Sequence, residues 1–184
     1  MRTAILSIVD HVGQPDTHHP STLAELQAVL DGTTNLVLTC DVLSPPDLAE
    51  DSTVVDIRTL VRRSRIADQL IAVDELLMLV SESLANFESL TSWGIVWQEN
   101  PLAALGRRRL GLRALTIISG GLGGGGAQAI AERLPATLTT LNLGGNEIGE
   151  GGARAIAERL PTTLTTLNLQ GLSLIHISEP TRPY

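Results

Sequence analysis

The chain is 184 residues long, and its 13 basic and 20 acidic side chains give a formal net charge of −7. A hydrophobic fraction of 43% with 18% charged residues is typical of a folded chain and excludes a wholly disordered one. Because nucleic-acid binding depends on basic side chains that neutralise phosphates, the acidic balance argues against a nucleic-acid partner.

The N-terminal sequence predicts a strand rather than a targeting segment. Residues 3–9 are apolar but end at Asp10, which makes them too short for a secretory core. No stretch of about 18 apolar residues occurs, so we expect no membrane contact. The single cysteine, Cys40, excludes an intramolecular disulfide and favours a reducing compartment, and we therefore expect a cytoplasmic protein.

The next elements are a short helix, a second strand and a long helix. Thr22 and Glu25 have the spacing of a capping box, which predicts a helix that begins at residue 23 and ends before Gly32. Residues 35–43 read as a strand. Apolar residues across positions 66–84 recur every three or four residues, which predicts a helix packed into the core.

The aromatic residues Phe87, Trp93 and Trp97 follow this helix, and we expect them to cover the exposed end of a repeat array that comes next. Two interpretations of residues 1–105 stay open. They form a small α/β region, or they are degenerate repeats, since Leu36, Leu38 and the residues after them echo the repeat spacing with Asp41 at its asparagine position.

A repeat of 26 residues dominates the C-terminal part. Residues 112–137 and 138–163 are two complete copies that agree at 14 of 26 positions, and residues 164–171 begin a third. Because the spacing is constant and the copies share the run AIAERLP, each copy predicts the same structural unit. We therefore assign residues 106–171 to a repeat domain.

Each copy predicts a strand, a turn and a helix. Copy two opens with Leu138, Leu141 and Leu143, and the last two have strand spacing. Asn146 follows at the point where the chain leaves the strand, and its side chain is expected to cap backbone groups there. Copy one has Gly120 at this position, which predicts a weaker turn.

The second half of copy two predicts the helix. We expect positive φ angles in the turn at Gly149, Gly151 and Gly152. The run ARAIAERLP follows, and its predicted features are an apolar stripe, one ion pair one turn apart and a proline that stops the helix: Ala153, Ile156, Ala157 and Leu160; Arg154 with Glu158; Pro161.

The pattern Leu-x-x-Leu-x-Leu-x-x-Asn-x-Leu resembles the leucine-rich repeat. The long helical half is similar to the ribonuclease-inhibitor-like class, which also occurs in NOD-like receptors and Ran GTPase-activating proteins. The resemblance covers about 60 of the 184 residues. It implies an α/β fold, a right-handed solenoid of strand–helix units behind the small N-terminal region.

The resemblance also implies a protein–protein interaction module that binds its partner on the concave strand face, and not an enzyme. The residues predicted to project there are Ala114, Thr116, Ile118, Thr140, Asn142, Gly144, Thr166, Asn168 and Gln170. Two alternatives remain. One is a signalling regulator like the receptors and GTPase activators that carry this repeat class. The other is an N-terminal enzyme or metal-binding domain with the repeats as a targeting arm.

Other chemical motifs are weak, and we expect no cofactor, metal or catalytic residue. Gly121, Gly123 and Gly126 match a dinucleotide fingerprint in spacing, but the repeat turn already explains glycine there. The remaining groups lack a defining spacing and are interpreted as solvated: the polar loop Asp10, His11, Asp16, His18 and His19, the set Cys40, Asp41 and His11, and the triplet Arg107, Arg108 and Arg109.

The tail differs from everything before it. Residues 172–184, LSLIHISEPTRPY, resemble a translated sequencing adaptor, and position 172 is Leu where the repeat predicts Asn. We therefore expect an N-terminal fragment of a longer protein. Two complete repeats offer little binding area, and their uncovered C-terminal end predicts weak partner binding, marginal stability and self-association.

Overall fold

The computed structural model describes residues 3–7, 17–39, 52–56, 88–95, 100–105 and 110–171. Eight strands lie in these ranges: β1 Thr3–Ser7, β2 Thr17–His18, β3 Asn35–Thr39, β4 Ser52–Asp56, β5 Ser89–Trp93, β6 Ala114–Ile118, β7 Thr140–Asn142 and β8 Thr166–Asn168. The helices are α1 Leu23–Leu30, α2 Pro101–Ala104, α3 Gly123–Ala131 and α4 Gly149–Ala157. In the ranges described, no helix combines the length and the apolar character needed to cross a bilayer.

The eight strands form one parallel sheet in the order β2-β4-β1-β3-β5-β6-β7-β8. Six of the strands, from β1 to β8, follow one another across the sheet in chain order, whereas β4 pairs with the other side of β1. The sheet is continuous across β5 and β6, which pair along five residues. The N-terminal region and the repeats therefore share a single sheet.

Rows of leucine hold the repeats together on one side of the sheet. Leu90, Leu115 and Leu141 are in register on adjacent strands, and each is fully buried. Helix residues such as Ile130 and Ile156 pack against them in the same core. Burial of one such side chain contributes about 1.5–3 kcal/mol, so the core row is the main source of stability.

The N-terminal elements confirm the local predictions where they are described. Strands β1 and β3 begin at the expected residues, and Thr22 caps α1 by accepting a hydrogen bond from the Glu25 N–H at 3.2 Å. The Glu25 carboxylate accepts from the Ser21 N–H at 2.7 Å and from the Ser21 hydroxyl at 3.0 Å. These bonds, the backbone bond first, lower the pKa of Glu25. Gly32 ends the helix with a φ of 74°.

Several predictions fall outside the described residues. They are the helix over residues 66–84, the aromatic residues Phe87 and Trp97, and the tail over residues 172–184. The expected strand ends at residues 8–9 and 40–43 lie outside as well.

Strand β5 adds a unit with repeat geometry before the first recognised copy. Each strand from β5 to β8 is followed by one residue with a left-handed backbone: Gly94, Ser119, Gly145 and Gly171. These positions are spaced 25, 26 and 26 residues apart. Since β5 also pairs with β6 in the register that β6 uses with β7, the repeat spacing begins at β5. This observation favours degenerate repeats for the residues directly before copy one.

Helix α4 begins earlier than predicted. It starts at Gly149, and only this glycine of the three has a positive φ, 60°. Gly151 and Gly152 are helical, so the prediction of positive φ at these two residues is wrong. A Cβ on Gly152 would lie 2.9 Å from the Ala127 Cβ of α3. Glycine is needed at position 152 because the two helices approach closely there.

The predicted outer features of α4 are also corrected. Arg154 pairs with Glu150 at 3.2 Å, and the expected pairing with Glu158 is wrong. An acidic residue one turn before the basic one is the more favourable order on a helix. Ile156 is buried, but Ala157 is exposed. The helix ends at Ala157, before Pro161 is reached.

Candidate functional site

The strand face is the side of the sheet opposite the buried leucine rows. Strand alternation places on it the residues that flank each buried leucine. The register sets Ala114 beside Thr140 and Thr140 beside Thr166, and it aligns Thr116, Asn142 and Asn168 in the next row. Ile118 is half-buried at the end of β6, Gly144 is buried, and Gln170 is exposed. The nine predicted residues thus occupy neighbouring strands or the residues directly after them.

Two asparagines give the strand face aligned amide groups. The Asn142 Oδ1 accepts from the Gly144 N–H at 3.0 Å, and the Asn168 Oδ1 accepts from the Gln170 N–H at 2.9 Å. The carbonyl oxygens are therefore engaged in the local turn. Each Nδ2 group, with two N–H donors, is directed away from that bond. Adjacent strands lie about 4.8 Å apart, so the two amides form a short ladder of donors.

Trp93 lies on the strand face next to Ile118, and both side chains are half-buried. The expectation that Trp93 covers an end of the repeat array is wrong, because β5 lies inside the sheet between β3 and β6. Leu90 and Ser92 point into the core, which leaves Thr91 and Trp93 on the opposite face. The sequence signal for this is the 25-residue spacing between Gly94 and Ser119, which the substitutions in β5 obscure.

Asn146 holds the turn below this face in place. It is 1% exposed, and its Nδ2 donates to the carbonyls of Ile117, Leu143 and Gly144 at 2.7, 2.9 and 3.1 Å. Its Oδ1 accepts from the Gly120 N–H at 2.7 Å. The predicted capping role of Asn146 is confirmed. The bonds to the preceding repeat, which the sequence did not predict, make Asn146 a link between the two turns.

Threonine side chains join the repeats at the other end of the strands. The Thr139 hydroxyl donates to the Arg113 carbonyl at 2.9 Å, and the Thr165 hydroxyl repeats this bond to the Thr139 carbonyl at 3.0 Å. The same contact recurs because each threonine occupies the same position in its copy. Both ends of β6, β7 and β8 are therefore held in register, which gives the strand face a defined geometry.

A separate open groove of about 430 Å³ lies between α2 and α3 on the helical side. It is lined by the glycines Gly121, Gly125 and Gly126 and by the exposed Glu132 and Arg133, together with other residues of both helices. The Gly123 N–H at the start of α3 donates to the Asn146 carbonyl at 2.9 Å. The glycine run thus serves the repeat turn, in agreement with that interpretation of the fingerprint spacing.

The other candidate groups are only partly described. His18 and His19 are exposed, and no group of three or more His, Cys, Asp or Glu residues suited to a metal occurs within the described ranges. Asp10, His11, Asp16, Cys40, Asp41 and the triplet Arg107, Arg108 and Arg109 lie outside those ranges.

Comparison with known proteins identifies one family in this region. The family model described as Leucine Rich repeat matches residues 135–157, which contain β7, the Asn146 turn and α4. The searches of curated proteins and of solved structures give no match. The chain is thus an α/β protein that contains a leucine-rich repeat, and such a repeat indicates a protein-interaction role in general.

Proposed function

We propose that this chain is a protein-interaction module that binds its partner on the strand face and catalyses no reaction. The observation that carries the proposal is Trp93 beside Ile118, next to the aligned amides of Asn142 and Asn168. Tryptophan is the residue type that most often dominates a binding interface. A half-buried tryptophan in the middle of a sheet, with a branched apolar neighbour, offers the anchor that copies one to three lack.

The surrounding chemistry favours an extended polypeptide as the partner. The strand-face positions of β6, β7 and β8 carry hydroxyl and amide groups and no charged side chain. The amide Nδ2 groups donate, so they match backbone carbonyls or carboxylates of a bound segment. We propose a segment that places an apolar side chain on Trp93 and Ile118 and directs its acceptors to the asparagines.

The test is selection of peptide ligands on the intact chain. A displayed random peptide library is panned against the full-length protein, and the affinity of each selected peptide is measured by calorimetry. We expect Trp93→Ala to weaken binding by about 30-fold, the equivalent of an interface residue worth about 2 kcal/mol. Asn142→Ala should weaken it by a smaller factor, because one hydrogen bond is lost.

The matched control is on the helical side. Glu150→Ala with Arg154→Ala removes an exposed ion pair, of which the two side chains are 77% and 70% exposed, and should leave peptide affinity unchanged. Peptides whose binding is insensitive to Trp93→Ala, or whose binding is lost in the helical-side variant, would contradict the strand-face proposal.

We further assign the repeats to the ribonuclease-inhibitor-like class and propose a solenoid that curves with the strand face inside. In support, α3 and α4 are each nine residues long and follow their strands at the same interval. The single cysteine supports a cytoplasmic location. The analogy to signalling regulators that carry such repeats rests on fold alone, since no described residue has a catalytic arrangement.

The N-terminal strands support a second candidate, a ligand-binding domain with the repeats as a targeting arm. The strand order reverses at β1, which has β3 on one side and β4 on the other. Ligands of open parallel sheets bind beyond the carboxyl ends of the strands at such a reversal. Titration with Mg²⁺, Mn²⁺ and Zn²⁺, followed by thermal unfolding, tests the metal-dependent form. An unchanged unfolding temperature with all three ions would rule that form out.

A further inference from the structure

The C-terminal edge of the repeats has an exposed apolar surface. We define this edge as β8 with its flanking leucines, Leu164 and Leu169, together with the outer side of α4. Leu167 of β8 is 43% exposed, whereas Leu115 and Leu141, which occupy its position in the earlier strands, are 0% exposed. The difference arises because a following strand covers β6 and β7, and in the described residues no strand follows β8.

The helix shows the same contrast. Ala127 and Ala131 of α3 are 0% and 2% exposed, because α4 packs against them. Their counterparts in α4 are Ala153, which is half-buried, and Ala157, which is exposed. In each internal case the surface is covered by a second strand–helix unit of the same sequence type. The edge is therefore shaped to receive such a unit.

The edge lacks the features that usually prevent strand pairing. Residues 164–170 read LTTLNLQ and contain no charge and no proline, which are common protections of an edge strand. The carbonyls of Asn168 and Gln170 accept from β7 and the residue after its turn, at 2.9 and 2.8 Å. Because consecutive residues of a strand point their backbone groups to opposite sides, the N–H and C=O of Leu167 point outward.

We propose that a second copy of this chain covers the C-terminal edge. The other end of the repeats is unavailable for stacking, since β5 and the strands beyond it cover β6. Two C-terminal edges are thus the matching surfaces, and a contact between identical surfaces closes around a twofold axis. Strand β8 of one copy pairs antiparallel with β8 of the other, and Leu167 lies opposite Leu167 of the second copy. The two sheets join into one, and the helices α4 cover the leucines between them.

The experiment is sedimentation of the full chain over a wide concentration range. We expect a reversible dimer with twice the 19.5 kDa mass of the chain. Leu167→Arg places a charge on the axis beside the same charge of the other copy, and it should weaken association by at least about tenfold. Leu110→Arg is the matched control, because Leu110 is 59% exposed but lies away from the edge, and it should leave association unchanged.

Amide hydrogen exchange provides a readout that needs no variant. Residues 164–171 should become more protected as the concentration of the wild-type chain rises, while α1 should not change. A chain that stays monomeric throughout, a dimer that survives Leu167→Arg, or exchange at residues 164–171 that is independent of concentration would each overturn the proposal. The peptide-binding test of the strand face is independent, since Trp93 lies three strands away from β8.

Discussion

Individual side chains link one repeat to the next, and Asn146 is the main example. Its four hydrogen bonds reach backbone groups of two successive turns while the side chain is almost fully buried. A repeat that carries asparagine here stabilises the turn before it as well as its own. Copy one has Gly120 at this position and uses its N–H as the donor to Asn146.

Replacement of Asn146 by alanine should destabilise the chain by about 3 kcal/mol. The variant loses four bonds and leaves buried carbonyls without partners, and each such group costs about 1–3 kcal/mol. Urea denaturation measures the change. Asn142→Ala is the control, since Asn142 is half-buried and makes a single bond to Gly144, and it should cost under about 1.5 kcal/mol. Equal losses in both variants would contradict the linking role of Asn146.

The structure also reverses the sequence-based view of Gly120. The repeat pattern predicts that asparagine at this position strengthens the turn. A Cβ on Gly120, however, would lie 2.8 Å from the Ile117 Cγ2 and 3.2 Å from both the Asn146 Oδ1 and the Ile95 carbonyl. There is no room for a side chain, because the space is already filled by the neighbouring repeat.

We therefore expect Gly120→Asn to lower the free energy of unfolding by about 1–3 kcal/mol, the usual cost of overpacking. The control is Gly125→Ala in α3, where an added Cβ meets nothing within 4 Å and should be neutral or stabilising by up to about 1 kcal/mol. Both values come from denaturant unfolding curves. A stabilised Gly120→Asn variant would show that the turn can open to admit the consensus residue.

At the scale of elements, α1 shows how a local signal is completed by a neighbouring residue. The capping box predicts that Glu25 bonds back to the cap residue. Its carboxylate instead accepts two bonds from Ser21, one residue earlier, while Thr22 accepts the Glu25 N–H. The helix start thus depends on the charged form of Glu25, which these bonds favour.

This predicts a pH-dependent difference between wild type and Glu25→Gln. The bonds from Ser21 lower the pKa of Glu25 in the folded state below the model value of 4.5. A depressed folded-state pKa contributes stability that is present above the unfolded-state pKa and is lost as pH falls through the folded-state value. The wild type should therefore be more stable than Glu25→Gln at pH 7, and the difference should disappear in the acid range below 4.5. Urea unfolding at several pH values checks this, and a constant difference would contradict it.

Elements α3 and α4 show a similar dependence on neighbours. The sequence predicts the same apolar stripe in both copies, and in α3 the stripe is buried. In α4 only Gly152 and Ile156 are buried, because α3 covers one side of the helix alone. Identical residues therefore have different burial, and the cause is their place in the array.

At the scale of the whole molecule, the strands form one sheet in which each unit is stabilised by its neighbours. Stability should then grow with the number of repeats, since each added unit contributes its own interface. The leucine rows from β3 to β7 are continuous, and they pass through β5 without an interruption of the backbone register.

Insertion of a second copy of residues 138–163 after position 163 should raise the urea midpoint of unfolding. The inserted unit buries a further Leu141 and Leu143 between two strands, at the 0% and 1% exposure of the original residues. The control insertion carries serine at these two positions and should lower the midpoint, because polar groups then replace the core row. If both insertions shift the midpoint in the same direction, the units do not stack in the same way as the natural ones.

The sequence by itself determined the features that depend on short segments. Repetition of 26 residues and the leucine spacing located β6, β7 and β8, and the residue type at position 146 identified its capping role. The capping box located α1. These predictions succeed because a strand period, a helix period and a cap each depend on residues within one turn or one strand.

Only the tertiary structure decided the features that depend on contacts between units. Strand β5 has few repeat residues, and it is recognised through its pairing with β6 and the left-handed position at Gly94. The place of Trp93 on the strand face follows from that pairing. The need for glycine at position 120 and the exposure of Leu167 likewise depend on what lies 25 or more residues away along the chain, or on its absence from the described part. The physical reason is that burial is a property of neighbouring strands and helices, whereas a repeat pattern describes one unit at a time.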